Sequence, residues 1–303
     1  MIGRWTTLKR TLAAAAVVVG CSGIVVPPAR ALAQRDTVPT YLRDRGTGLP
    51  TSMFGTYVRR GELLVYPFFE YYRDRNFEYK PAELGYGLDQ DFRGKYRASE
   101  GLLFFSYGLA DWLAVEMEAA VINATLYTAA GDLSSAPNTI HASGVGDVEG
   151  QLRVRWLSEN ERRPELFSYF EATAPVQRKK LLIATPDWEF ALGTGLVRGF
   201  GWGTLTLRAA LGYSKDERKL DIGEYAVEYL RRVSPAWRLY LGMEGTQDGV
   251  ELITEAQWHI TRAVVLRLNS AFGLTSKATD WAPEVGIMFS LPVRRSNLAG
   301  AAK

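Results

Sequence analysis

Residues 148–156 read Val-Glu-Gly-Gln-Leu-Arg-Val-Arg-Trp, with an apolar residue or glycine at every even position and a charged or polar residue at every odd one. Side chains of a β-strand point alternately to its two faces, so this stretch has one apolar face and one polar face. The alternation recurs about twelve times between residues 62 and 291, in segments of about 10 to 14 residues. This pattern is typical of an all-β transmembrane barrel, which turns its apolar face to lipid and its polar face to a lumen.

The first 33 residues predict a secretory signal peptide. Three basic residues within the first ten precede an apolar stretch over 11–26, and Ala-Leu-Ala at 31–33 forms a small-x-small cleavage site. The apolar stretch is too short for a good spanning helix. A second interpretation stays open, because Val-Val-Gly-Cys at 18–21 is a passable lipobox that would make Cys21 the lipidated first residue. Cleavage after Ala33 is the better-formed alternative, and both interpretations predict export.

Charge and cysteine content exclude several classes of function. The chain carries net charge +3, and removal of the four basic residues of the leader leaves about −1. A chain of that charge has no basic surface typical of nucleic-acid binding. Cys21 is the single cysteine, so the mature chain forms no disulfide.

After the leader, the sequence divides into three parts. Residues 34–61 are polar and contain prolines and glycines, which predicts a periplasmic lead-in or a segment folded into the lumen. Residues 62–291 form the predicted barrel, and 292–303 form a C-terminal tail. The predicted strands of an up-and-down antiparallel barrel are 62–73, 97–108, 112–126, 145–157, 164–176, 187–199, 203–214, 222–233, 236–246, 249–260, 263–274 and 280–291. Twelve is an even number, as expected when both ends of the chain are periplasmic.

The links between these strands alternate between long and short. The first, 74–96, and the third, 127–144, are long, whereas Leu-Ala-Asp at 109–111 and Phe-Gly-Trp at 200–202 are tight turns. Outer-membrane barrels have long extracellular loops and short periplasmic turns. The sequence therefore predicts that the odd-numbered links are extracellular.

The same parity predicts which side chains line the lumen. A charged side chain that faces lipid at mid-depth costs several kcal/mol, so the charged face of each strand should be internal. The predicted lumen-lining residues are Glu116, Glu118, Glu149, Gln151, Arg153, Arg155, Arg208, Glu228, Arg238, Glu251, Glu255, His259, Arg267 and Glu284. Acids outnumber arginines in this set, which predicts a negative interior. An open lumen and a lumen filled by ion pairs both remain compatible with the set.

Tryptophans gather near the ends of the predicted strands, which indicates aromatic girdles at the two membrane–water interfaces. The predicted girdle residues are Trp112, Trp156, Trp202, Trp237 and Trp258 at the periplasmic side, with Trp188 and Trp281 at the outer side.

Two motifs carry a resemblance to a known family. Residues 107–116 read Tyr-Gly-Leu-Ala-Asp-Trp-Leu-Ala-Val-Glu, and residues 144–153 read Gly-Val-Gly-Asp-Val-Glu-Gly-Gln-Leu-Arg. The region 97–157 resembles the outer-membrane β-barrel transporter family that is grouped with the meta-pathway phenol-degradation proteins. The resemblance implies passage of small, often hydrophobic or aromatic, compounds, and it implies no catalytic residues.

One pair of residues suggests a different chemistry. His141 and Ser143 are similar to the His-x-Ser pair of outer-membrane phospholipases and lipid A deacylases, with Asp147 or Asn138 as an orienting group. A polar extracellular loop that happens to contain both residues is the simpler interpretation. His141 and His259 are the only histidines, which argues against a histidine-rich metal site, and no motif indicates a cofactor.

The sequence therefore predicts an outer-membrane channel or transporter for small solutes that is not an enzyme. An outer-membrane lipid hydrolase and a structural barrel without transport are the alternatives. The expected partners are outer-membrane lipid and lipopolysaccharide, the barrel-assembly machinery and an unidentified small solute, with no nucleic acid. The tail at 292–303 follows the predicted last strand, whereas many barrels end on an aromatic residue that the assembly machinery reads.

Overall fold

The described part of the chain, residues 38–216 and 218–293 of a computed structural model, contains a closed barrel of twelve antiparallel strands. Each strand pairs with the next one along the chain, and the last strand closes on the first. The predicted fold class is thereby confirmed. The predicted signal peptide and most of the predicted tail lie outside the described residues.

A short two-stranded hairpin, β1 and β2, precedes the twelve strands of the wall, β3 to β14, and a 3-10 helix over Thr40–Leu42 precedes that hairpin. The bounds are β1 Leu49–Pro50, β2 Tyr57–Val58, β3 Glu62–Tyr79, β4 Phe92–Ala110, β5 Leu113–Tyr127, β6 Thr139–Leu157, β7 Glu165–Ala174, β8 Glu189–Phe200, β9 Gly203–Ser214, β10 Lys219–Arg232, β11 Trp237–Gly245, β12 Val250–His259, β13 Val264–Gly273 and β14 Trp281–Pro292.

The predicted bounds are wrong where the first hairpins rise above the membrane level. The link predicted over 74–96 is in fact a shorter loop over 80–91, because β3 and β4 are longer than predicted. Strand β6 begins at Thr139 rather than at residue 145. Residues 73–76 read Arg-Asp-Arg-Asn, which resembles a loop, but their backbone pairs with β4 across a register shift between Asp74 and Phe77. Water, rather than lipid, surrounds this part of the hairpin, so the apolar alternation is not required there.

The outer surface of the barrel is apolar. Met117, Leu192 and Leu207 are 49%, 61% and 49% exposed, and large hydrophobic side chains on the other wall strands are exposed in the same way. A continuous apolar belt of this kind is unfavourable in water and fits the hydrocarbon of a bilayer. No α-helix in the described ranges has the length and apolar character that crossing a membrane would require.

Residues 38–61, called here the lumen segment, run inside the barrel. Leu49, Met53 and Val58 are buried, and they pack in one cluster with Leu64 and Tyr66 of β3. The segment passes very close to the wall at Gly199, where a Cβ atom would overlap the carbonyl oxygen of Tyr41. Only glycine permits this approach between the two backbones.

Candidate functional site: a divided lumen

Two wall residues on β5 and β6 hold the β1–β2 hairpin on one side. Arg153 Nη1 donates to the carbonyl oxygen of Pro50 at 2.9 Å. The backbone N–H and the hydroxyl of Ser52 donate to Glu116 Oε2 at 2.9 and 2.7 Å. Arg153 and Glu116 are themselves 3.3 Å apart and both buried, so the lumen segment completes a buried ion pair.

Arg267 of β13 holds the opposite side of the hairpin. Its Nη2 donates to the carbonyl oxygen of Phe54 at 2.9 Å, and its Nη1 donates to Thr56 Oγ1 at 3.1 Å. Glu255 pairs with the same guanidinium at 2.6 Å, and Arg267 is 1% exposed. Phe54 also stacks on Tyr240 with the ring centroids 5.3 Å apart. The hairpin is therefore fixed across the full width of the lumen.

Arg45 anchors the beginning of the lumen segment near the short turns. Its Nη2 lies 3.0 Å from Glu159 and 2.9 Å from Glu165, and all three side chains are buried. Burial alone would lower the pKa of Arg45, but the two carboxylates outweigh it and the pKa is raised. Burial raises the pKa of the neighbouring Tyr57 to about 12, so its hydroxyl is neutral at physiological pH.

An acidic cavity of about 200 Å³, called here the outer chamber, lies on the long-loop side of Phe54. Its described lining includes no Lys or Arg, and its eight glutamates are Glu70, Glu149, Glu171, Glu189, Glu224, Glu244, Glu251 and Glu284. Tyr72 and Tyr169 add aromatic surface to the same walls. Below them, Arg208 pairs with Glu224, with Glu228 at 2.6 Å and with Glu244 at 2.8 Å. Because acids remain in excess, the chamber carries a negative potential.

A second cavity of about 460 Å³, called here the inner chamber, lies at the short-turn end. Its described lining contains a single glutamate, Glu62, and five arginines, which are Arg45, Arg59, Arg232, Arg238 and Arg262. The expectation of a negative lumen is therefore wrong at this end. The signs of the two chambers are opposite because the arginines are concentrated in the lumen segment and near the short turns.

The structure places all the predicted lumen-lining residues on inner faces of the wall, at three levels. Glu149, Glu251 and Glu284 line the outer chamber, and Arg238 and His259 line the inner one. Arg155 lies near the short turns, where it pairs with Glu165 at 3.1 Å. The remaining members lie at the level of the hairpin or of Arg208, and they are Glu116, Glu118, Gln151, Arg153, Arg208, Glu228, Glu255 and Arg267. The sequence did not identify Arg45, Phe54, Glu159 or Glu165 as parts of the site, since their contacts join distant parts of the chain.

The loop over 175–188 folds into the mouth of the barrel. Leu182 and Ile183 are 3% and 2% exposed, and they join the buried cluster on the inner faces of β3 to β5. Asp147 holds this loop, because its Oδ2 accepts from the N–H of Thr185 at 2.7 Å and from Thr185 Oγ1 at 2.8 Å. Gly144, at φ 146°, makes room for Gln177, which donates to the carbonyl oxygen of Val145 at 2.7 Å. The motif at 144–147 therefore works as a loop anchor.

In the structure, the contacts of His141 and Ser143 are with different residues and not with each other. His141 Nδ1 lies 3.0 Å from Thr125 Oγ1, and the carbonyl oxygen of Ser143 accepts from Lys180 Nζ at 2.6 Å. The carboxylate of Asp147 is engaged by Thr185. Within the described ranges, no group of three or more His, Cys, Asp or Glu side chains is arranged to hold a metal ion.

The tryptophans of the predicted girdles are exposed at the two ends of the wall. Trp237 and Trp258, near the short turns, stack with ring centroids 5.8 Å apart, and Trp281 contacts Tyr71 edge-on near the long loops. The others at the short-turn end are Trp112, Trp156 and Trp202, and Trp188 lies at the long-loop end.

Several solved structures are similar to this barrel at low sequence identity. The COG4313 outer membrane channel from Pseudomonas putida F1 is 16% identical, with a TM-score of 0.57, over 77% of this chain and 97% of that one. The translocator domain of the autotransporter NalP from Neisseria meningitidis is 10% identical, with a TM-score of 0.48, over 76% and 88%. The Ralstonia pickettii toluene transporter TbuX is 9% identical, with a TM-score of 0.41, over 78% and 90%. Comparison with family models and with curated proteins finds no match to the sequence.

Proposed function

We propose that this protein is an outer-membrane channel for small solutes and that the lumen segment gates it. The observation that carries this proposal is the division of one continuous lumen into two chambers by a hairpin that noncovalent contacts hold in place. A purely structural barrel has no need of two cavities on either side of a segment that can be released. The apolar belt and the arrangement of long loops and short turns support an outer-membrane location. Export by the signal peptide and insertion by the barrel-assembly machinery follow from that location.

The outer chamber supports a proposal for the class of solute. Its glutamates attract cations and repel anions, and the rings of Phe54 and Tyr169 offer aromatic surface on which a flat apolar solute can pack. The faces of the aromatic side chains in the chamber also attract cations, which adds to the preference for a positively charged aromatic solute. We infer that neutral or cationic aromatic compounds enter this chamber more readily than anionic ones. The resemblance over 97–157 to the transporters grouped with the phenol-degradation proteins supports aromatic compounds as the class, and the fold shared with the COG4313 outer membrane channel supports the channel.

Flux into proteoliposomes tests the solute class. Phenyltrimethylammonium and benzenesulfonate are suitable probes, because both carry a phenyl ring and a permanent charge that prevents passage through lipid. We expect the full-length protein to admit phenyltrimethylammonium at least several-fold faster at low ionic strength. Replacement of Glu149, Glu171 and Glu251 by Gln should reduce the difference. Faster entry of benzenesulfonate would contradict the proposed solute class. A lack of flux for both probes in the full-length protein and also after deletion of residues 38–58 would contradict the channel itself.

A further inference from the structure

Three basic side chains form a patch on the lipid-facing side of the wall near the long loops. Arg73 of β3 lies directly opposite Arg97 of β4 in the antiparallel register, and Lys95 lies two residues from Arg97 on the same face. All three side chains are exposed. These residues, Arg73, Lys95 and Arg97, are called here the rim patch.

The rim patch lies where the apolar belt ends. On β3 the outward positions from Leu63 to Phe69 are apolar, or proline at 67, and Tyr71 and then Arg73 follow. A tilted strand advances about 2.5 Å per residue along the barrel axis, so the ten residues from Leu63 to Arg73 span about 25 Å. That distance is the typical height of the apolar belt of such barrels. The rim patch therefore lies at the level of the outer lipid headgroups.

The described residues supply no counter-ion to the rim patch, whereas they do supply one to each of two neighbouring arginines. Arg97 lies over the ring of Tyr127, 5.8 Å from its centroid, a contact that leaves its charge in place. Arg75 pairs with Asp280 at 3.0 Å, and Arg93 pairs with Glu78 at 3.2 Å. Within the described part of the chain, Arg73, Lys95 and Arg97 have no carboxylate partner. Like charges directly opposite each other on two strands are destabilising, so an anion between Arg73 and Arg97 would remove a repulsion that the fold otherwise retains.

We propose that the rim patch binds the phosphorylated headgroup of a lipid in the outer leaflet, of the lipid A type. Guanidinium groups match phosphate oxygens in charge and in bidentate geometry, and Lys95 adds a third cation. Tyr71 lies two residues before Arg73 on the same face, and Trp281 lies opposite Arg73 on β14, with the two ring centroids 6.5 Å apart. Tyrosine and tryptophan favour the boundary between the acyl chains and the headgroups. A lipid is the occupant that can cover the apolar belt and the cations of the rim patch together. This inference rests on the proposed outer-membrane location.

Native mass spectrometry of the full-length barrel in detergent, with bisphosphorylated hexa-acylated lipid A as the probe, tests the proposal. The test variant is Arg73→Gln with Arg97→Gln, and the matched control is Arg75→Gln with Arg93→Gln. Both variants remove two arginines from the same end of the wall. Only the test variant removes arginines that have no carboxylate partner among the described residues, because Arg75 and Arg93 are paired with Asp280 and Glu78. We expect the affinity for lipid A to fall at least tenfold in the test variant and less than twofold in the control.

Two further measurements show whether the protein recognises the phosphate groups of a lipid or free phosphate. Dephosphorylated lipid A should bind the wild-type protein as weakly as lipid A binds the test variant, and millimolar inorganic phosphate should not displace lipid A. Equal losses in both variants, unchanged binding in the test variant, or full displacement by phosphate would overturn the proposal. Both variants should keep wild-type migration on an unheated gel, which establishes that the barrel is folded. Channel flux should be unchanged, so failure here and failure of the proposed function are distinguishable.

Discussion

At the scale of single residues, Asp147 shows how a short motif determines a distant contact. Its carboxylate joins β6 to the loop over 175–188, which covers the mouth of the barrel with Leu182 and Ile183. We expect Asp147→Ala to release this loop, with amide exchange over 176–186 at least tenfold faster, because two hydrogen bonds to Thr185 are lost. Hydrogen–deuterium exchange of the purified barrel measures the effect.

Asp216→Ala is the matched control for this measurement. Asp216 is an exposed acid at the same end of the barrel, in the link between β9 and β10, and it lies outside the loop over 175–188. Its removal should leave exchange over 176–186 unchanged. Protection of that loop in Asp147→Ala would show that apolar packing alone holds it.

Ser143 provides a second test at this scale. A nucleophilic serine needs a base within hydrogen-bond reach, and the contact that His141 makes is with Thr125. We expect the purified wild-type protein and Ser143→Ala to be equally inactive toward phospholipid and lipid A esters. Hydrolysis by the wild type that Ser143→Ala abolishes would instead establish the hydrolase.

The alternation of the sequence was sufficient to predict the inward direction of residues such as Glu116, Arg153 and Arg267. It could not predict their partners, because Pro50, Ser52 and Phe54 lie in an irregular segment without periodicity. Asp147 was likewise noted in a motif, but its bonds to Thr185 span 38 residues of sequence. Contacts of this kind depend on the closed barrel, which brings distant strands and loops together.

At the scale of elements, the lumen segment depends on its polar anchors. Arg153 and Arg267 donate three hydrogen bonds to it from opposite walls, to Pro50, Thr56 and Phe54. We expect Arg153→Met with Arg267→Met to loosen the segment, because the carbonyl oxygens of Pro50 and Phe54 lose their charged donors. Thiol labelling of Met53→Cys, in a chain that also carries Cys21→Ser, measures the exposure of the hairpin.

Met53 is 1% exposed, so the introduced thiol should react slowly in the otherwise native barrel and at least tenfold faster in the double arginine variant. Arg178→Gln is the control, because Arg178 pairs with Asp187 on the exposed side of a loop at 3.6 Å. Equal labelling rates in all three backgrounds would mean that apolar contacts, rather than the arginines, hold the segment.

The elements themselves were predictable to different degrees. The bounds of β9 matched the predicted 203–214, because lipid-facing Leu205, Leu207 and Leu211 maintain the alternation almost to its ends. The outer parts of β3, β4 and β6 were missed, since they extend into water, where charged residues such as Arg73 and Asp74 no longer distinguish a strand from a loop.

At the scale of the whole molecule, the central claim is that the lumen segment separates the two chambers and controls passage between them. The strands β3 to β14 close the wall without β1 or β2, and the backbone contacts of Arg60 and Gly61 with the wall lie outside the deleted range, so deletion of residues 38–58 should leave a folded barrel. A closed barrel resists detergent, and different migration of boiled and unheated samples on a gel would establish that the deletion variant is folded.

Conductance in a planar bilayer tests this claim most directly. We expect the full-length protein to show small or rare openings and the deletion variant to conduct steadily, at least several-fold more. At low ionic strength the open pore should prefer cations because of the glutamates of the outer chamber, and this preference should weaken at 1 M salt, where the Debye length is about 3 Å. Unchanged conductance after deletion, in a barrel shown to be folded, or a preference for anions in the open pore would contradict the account.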